Sequence, residues 1–143
     1  MAANTIDAIV SRVDDVLQSE DIGLTRAVTP FTFDKQPSQQ ADGVYRIETE
    51  GGNTIAGFNY IEDRTDLLII WVARKLAQDP NAAVSQLRQD AATIRAAIIR
   101  DGLDNGGDYH VPDSGGGFSL PPHAGVEFAV LRLTVPVGYE AQV

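Results

Sequence analysis

The residues best suited to chemistry gather in one stretch, Asp101-Gly102-Leu103-Asp104-Asn105-Gly106-Gly107-Asp108, followed by His110, Asp113 and His123. Oxygen-rich, glycine-rich runs of this kind can wrap calcium. An EF-hand loop places oxygen ligands at alternate positions ahead of an invariant glycine and closes with a bidentate Glu. Counted from Asp101, the second ligand position is Leu103 and the closing position is Pro112, and no helix follows. The run therefore reads as a turn-rich loop. His110 and His123, the two histidines, could hold a metal with Asp108 and Asp113. Their spacing is looser than that of zinc sites, and nothing in the Gly/Pro-rich surroundings would rigidify them. No metal or cofactor is expected.

Covalent catalysis has no sequence signature here. There is no Cys and no Gly-x-Ser-x-Gly. Ser114-Gly115-Gly116-Gly117 has glycines but neither a Lys nor a following helix, so it is no phosphate loop. The neighbouring carboxylates Glu20-Asp21 and Glu62-Asp63 fall in polar turns, where water would keep them ordinary acids. The chain is read as a non-enzyme.

The elements that would position these residues follow from periodicity. Ile6, Ile9, Val10, Val13, Val16 and Leu17 make one helical stripe over residues 5–18, capped by Asn4 or Thr5. Residues 22–33 read as an extended segment broken at Pro30, and 34–42 as a surface loop. Residues 43–50 and 54–61 read as a hairpin turning at Glu50-Gly51-Gly52-Asn53, with a second polar turn at 62–65. The apolar run 67–73 (LLIIWVA) fits a strand covered on both faces or a central one. Asp79-Pro80 opens a helix of about twenty residues, ended by Gly102. Residues 101–123 form a long loop, with a short strand around 109–111. A strand over 125–137 closes the chain, its regular pairing ending at Pro136. The expected architecture is one domain over residues 1–143. It is α+β: a mostly antiparallel sheet of four to five strands, with two helices packed on one face.

Composition narrows the partners. With 20 Asp and Glu against 11 Lys and Arg, the net charge is −9. Only Arg74 and Lys75 are adjacent cations, so there is no patch to neutralise nucleic-acid phosphates or anionic lipid. No apolar run approaches the roughly 20 residues a membrane helix needs. Residues 1–7 carry neither a basic start nor an apolar stretch, so no secretory signal is expected. Trp71, the sole tryptophan, reads first as core, with a subunit-interface anchor as the alternative.

Taken in order, the elements and their residues resemble the tail-terminator family of long-tailed bacteriophages, also called tail-completion or minor tail proteins. The resemblance runs over most of the chain. It rests on the opening helix, Phe31-Thr32-Phe33-Asp34-Lys35-Gln36-Pro37, Asp42-Gly43-Val44-Tyr45-Arg46-Ile47 and Leu68-Ile69-Ile70-Trp71. The Ala-rich helix, the Gly-rich loop and the closing Val130-Leu131-Arg132-Leu133-Thr134-Val135-Pro136-Val137 complete it. It implies a homohexameric ring on the head-proximal end of a tail tube. Such a ring ends tube polymerisation and meets the head-to-tail connector or stopper protein. DNA would pass through it without stable binding, and the chain would reside in the virion neck. The candidate interface residues are Glu62, Asp63, Arg64, Trp71, Tyr109, His110, Phe118 and Tyr139. The alternatives are another neck or tail component, such as a stopper or tube protein, or a small ligand-binding domain whose pocket would involve the 110–123 loop.

Overall fold

The computed structural model describes residues 5–19, 22–32, 35, 37, 42–58, 61–76, 80–104, 109–112, 116–120 and 127–142. For 52–58, 61–62, 80, 104, 141 and 142 it describes the backbone alone. The elements run α1 (Ile6–Leu17), β1 (Thr25–Arg26), β2 (Val44–Phe58), β3 (Ile61–Lys75), α2 (Pro80–Asp104), β4 (Gly117–Ser119) and β5 (Phe128–Gln142). The strands form one sheet in the order β1-β2-β3-β5-β4. β1 is parallel to β2 and every other pairing is antiparallel, so the fold is α+β with a mixed, mostly antiparallel sheet.

Alternation along the central strand divides the interior in two. Leu68, Ile70 and Val72 of β3 join Tyr45, Leu131, Leu133, Val135 and Val137 in one buried cluster. The helical residues Ile9, Val13 and Leu17 of α1 and Leu87, Ala91, Ile94 and Ile98 of α2 belong to that same cluster. Ile69, Trp71 and Ala73, with the opposite parity, join Val44, Phe128, Val130 and Phe31 in a second cluster that contains no helical residue. The 67–73 run is thus buried on both faces, as its unbroken apolarity predicts. Each such side chain removed from water contributes about 1.5–3 kcal/mol.

Local signals account for the helix ends. The Thr5 side chain accepts from the Ala8 N–H and caps α1, and Asp7 sits in the first turn. α2 starts at Pro80, whose missing N–H costs nothing at that position. Asp79 lies outside the described residues. Gly102 does not end α2, which runs on to Asp104. Its role is space, because a Cβ there would lie 2.7 Å from the Tyr109 carbonyl oxygen.

The sheet departs from expectation in five places. The Glu50-Gly51-Gly52-Asn53 cluster is not a turn: β2 is continuous from Val44 to Phe58, with register shifts at Glu50/Asn53 and Thr54/Ala56. Gly51 keeps an ordinary φ, whereas a two-residue hairpin turn needs positive values, so the glycines serve a bulge. Phe58 pairs with Ile61, and residues 59 and 60 between them lie outside the described ones. The 62–65 segment is strand as well, because β2 and β5 flank it and satisfy its backbone on both sides. Finally, Pro136 does not stop β5, which continues to Gln142. Gly138 exchanges backbone hydrogen bonds with His110, so its N–H points to the outer edge. Pro136 has the same parity and falls between the β4 pairing at Thr134 and the His110 bridge, where no ladder bond is lost. The strand expected at 109–111 reduces to that single bridge, and β4 arises inside the long loop. Of the extended 22–33 segment only two residues pair, as β1.

Candidate assembly surfaces

The eight candidate interface residues separate into buried and exposed sets. Trp71 is 6 % exposed, Tyr109 1 % and Tyr139 6 %, so these three lie inside the protomer and hold it together. They are not surface anchors: strand alternation turns Trp71 and Tyr139 toward packed layers, and Tyr109, next to the His110 bridge, packs into the same cluster as Tyr139. Trp71 belongs to the second cluster, with the Arg46 guanidinium 4.9 Å and that of Arg132 5.8 Å from its ring centre. Arg46 also donates to the Phe31 carbonyl at 2.6 Å and pairs with Glu48 at 2.7 Å. The segment after β1 is thereby tied across this face.

Tyr109 fastens the end of α2. Its hydroxyl donates to the Ile98 carbonyl at 3.1 Å and to Asp101 at 2.7 Å. Arg12 of α1 reaches Asp101 at 3.2 Å and lies 5.1 Å from the Tyr109 ring centre. Burial first, then the hydrogen bond to Asp101, pushes the Tyr109 phenol far above its ordinary value, so it stays a neutral donor. The Asp101 carboxylate, first of the calcium-like run, is therefore engaged by an arginine and a tyrosine. Residues 105–108, 113 and 123 lie outside the described ones. Among the described residues no three His, Asp or Glu side chains converge as metal ligands would.

Tyr139 makes a comparable joint where the strands leave the helices. Its hydroxyl donates to Asp66, a carboxylate buried on β3. Arg64 stands 3.9 Å from the other Asp66 oxygen, which has no hydrogen-bond partner among the described residues. Burial, reinforced by Asp66, raises the Tyr139 phenol to about 12, and Asp7 in the first turn of α1 adds to the rise. At the opposite end of α1 the Tyr45 hydroxyl donates to Asp14, which also pairs with Arg26. Tyr45 thus ties the sheet to α1 near that helix's C-terminal end. A third polar joint links β3 to α2: Arg74 grips Asp90 through two 2.9 Å hydrogen bonds. That bond raises the Arg74 pKa despite burial, and the guanidinium remains charged.

The exposed set lies on the outer part of the sheet. Asp63 is exposed, His110 is exposed and Phe118 is 53 % exposed. Arg64 is half-buried, and Glu62 is described by its backbone only, paired with Gly57 and Ala141. His110 lays its ring over Gly138, where a Cβ would meet it at 2.5 Å. Comparison of the chain with models of known families and with curated proteins gave no match.

Proposed function

We propose that the chain is a structural virion protein that caps the head-proximal end of a phage tail tube as a homohexameric ring. In this reading it ends tube polymerisation and presents the joint to the head connector. The observation that supports it most is the outer part of β2, β3 and β5. There three strands stay paired as far as Phe58, Ile61 and Gln142, while Asp63, Arg64 and Thr65 belong to neither buried cluster. A small protein that maintains such an arm has a rigid element with which to reach a neighbour. The family resemblance gives that reach a purpose. A net charge of −9 per subunit, repeated around a channel, would let DNA pass without being gripped.

Electron microscopy of the purified chain, alone and mixed with a polymerising tail-tube protein, tests the reading. Rings on tube ends and shorter tubes are expected. Long stacks of the chain itself would identify a tube protein instead, and tubes unchanged in length and without caps would overturn the proposal.

A further inference from the structure

The arginines of this acidic chain are used unequally. Arg12, Arg26, Arg46, Arg64 and Arg74 each stand within ion-pair distance of a carboxylate. Arg88 and Arg95 on α2 have no such partner among the described residues; Arg88 is exposed and Arg95 half-buried. They are seven residues apart, which puts them on one side of the helix about 10 Å from each other. The positions three and four residues from either are Val84, Ser85, Ala91, Ala92, Ile98 and Ile99, so no acidic residue can reach them along the helix. The two described carboxylates of α2 nearest them are committed elsewhere, Asp90 to Arg74 and Asp101 to Arg12. This side of α2 is a positive ridge on a protein of net charge −9.

The arm shows the reverse imbalance. Asp63 of β3 and Glu140 of β5 are direct cross-strand partners, and both are exposed. Direct partners project from the same face, with Cβ atoms about 5 Å apart, and like charges so placed are destabilising. Arg64, the nearest cation in the chain, is opposite Tyr139 and projects from the other face beside Asp66. Neither Asp63 nor Glu140 has an ion-pair partner among the described residues. A cation supplied from outside would offset this pairing of like charges.

We infer that these two surfaces are made for one another: the Arg88–Arg95 ridge of one copy docks on the Asp63–Glu140 pair of the next. The inference rests on the ring reading and names its subunit joint. The two patches are different surfaces of the same chain, so the contact is heterologous, the kind that propagates around a ring. Ala92 lies between the arginines, and a short side chain there lets the strands approach the helix closely.

Charge exchange tests this by sedimentation velocity at low and high salt. Arg88→Glu with Arg95→Glu is expected to weaken assembly about tenfold or more, as is Asp63→Arg with Glu140→Arg. All four together should restore most of the wild-type assembly. The neutral set Arg88→Gln, Arg95→Gln, Asp63→Asn and Glu140→Gln keeps the test readable if a reversal disturbs folding, and it should flatten the salt dependence. A wild-type ring indifferent to both reversals and to the neutral set overturns the inference and leaves the ring standing. Loss in both reversals without restoration in the combination shows that the patches do not face each other, which also overturns it. A strictly monomeric wild type overturns the ring reading itself.

Discussion

Strands β2, β3 and β5 pass through two environments. In the body of the sheet, β3 has Leu68, Ile70 and Val72 in one buried cluster and Ile69, Trp71 and Ala73 in the other. A few residues earlier the same strand carries Asp63, Arg64, Thr65 and Asp66, yet its pairing with β2 and β5 continues without a gap on the β5 side. Backbone pairing continues through both halves, with two register shifts on the β2 side of the arm, so strand structure needs no apolar side chains there. What differs is the free energy of burial. The body has two packed faces, whereas the described residues of the arm show a polar joint, Tyr139 to Asp66, and exposed charges at Asp63 and Glu140. We read the body as the source of stability and the arm as the part free to serve a partner.

The contrast can be broken at several points, the largest first. Ile70→Ala removes a fully buried side chain and is expected to cost about 2–5 kcal/mol, while Thr65→Ala on the arm should cost under about 1 kcal/mol. Urea unfolding measures both, and comparable losses would erase the distinction. Glycines give a second pair. Gly102→Ala drives a methyl into the Tyr109 carbonyl and should cost about 1–3 kcal/mol. Gly117→Ala meets nothing within 4 Å and should fall within about 0.5 kcal/mol. Tyr139→Phe takes away the hydrogen bond donated to buried Asp66 and is expected to cost about 1–3 kcal/mol. A neutral result would mean that the joint does not hold the arm to the body.

The smallest effect is in pH. Tyr139 has a folded pKa of about 12 against an ordinary 10.0. The neutral phenol is therefore favoured by folding. Its contribution is fully present below pH 10 and is lost as the pH rises toward about 12. Thermal melts across that window should show a shallower alkaline decline in Tyr139→Phe than in wild type. Tyr109, also raised, leaves part of the decline in place.

Which parts of this were legible in the sequence follows from how local their signals are. The α1 stripe, the Thr5 cap, the Pro80 start and the LLIIWVA strand each depend on neighbours within a few residues. The arm does not. Gly51-Gly52 and the charged 62–65 segment carry local turn chemistry, and it is the pairing of β2 with β3, and of β3 with β5 some seventy residues away, that makes them strand. Pro136 is the same case, since its tolerance depends on where β4 and His110 stop. Among the site residues, Trp71, Tyr109 and Tyr139 were chosen for being aromatic, and residue type does not say which layer a side chain enters. Arg88 and Arg95, the ridge proposed above, carry a local signal: a spacing of seven with no acidic residue three or four positions from either.

In the function proposed above, this chain assembles through its arm into a closed ring. Multi-angle light scattering of the purified protein over a range of concentrations tests it most directly. The account predicts a discrete species of six chain masses that gives way to smaller ones as salt rises. A single chain mass at every concentration, in low salt as in high, would contradict it.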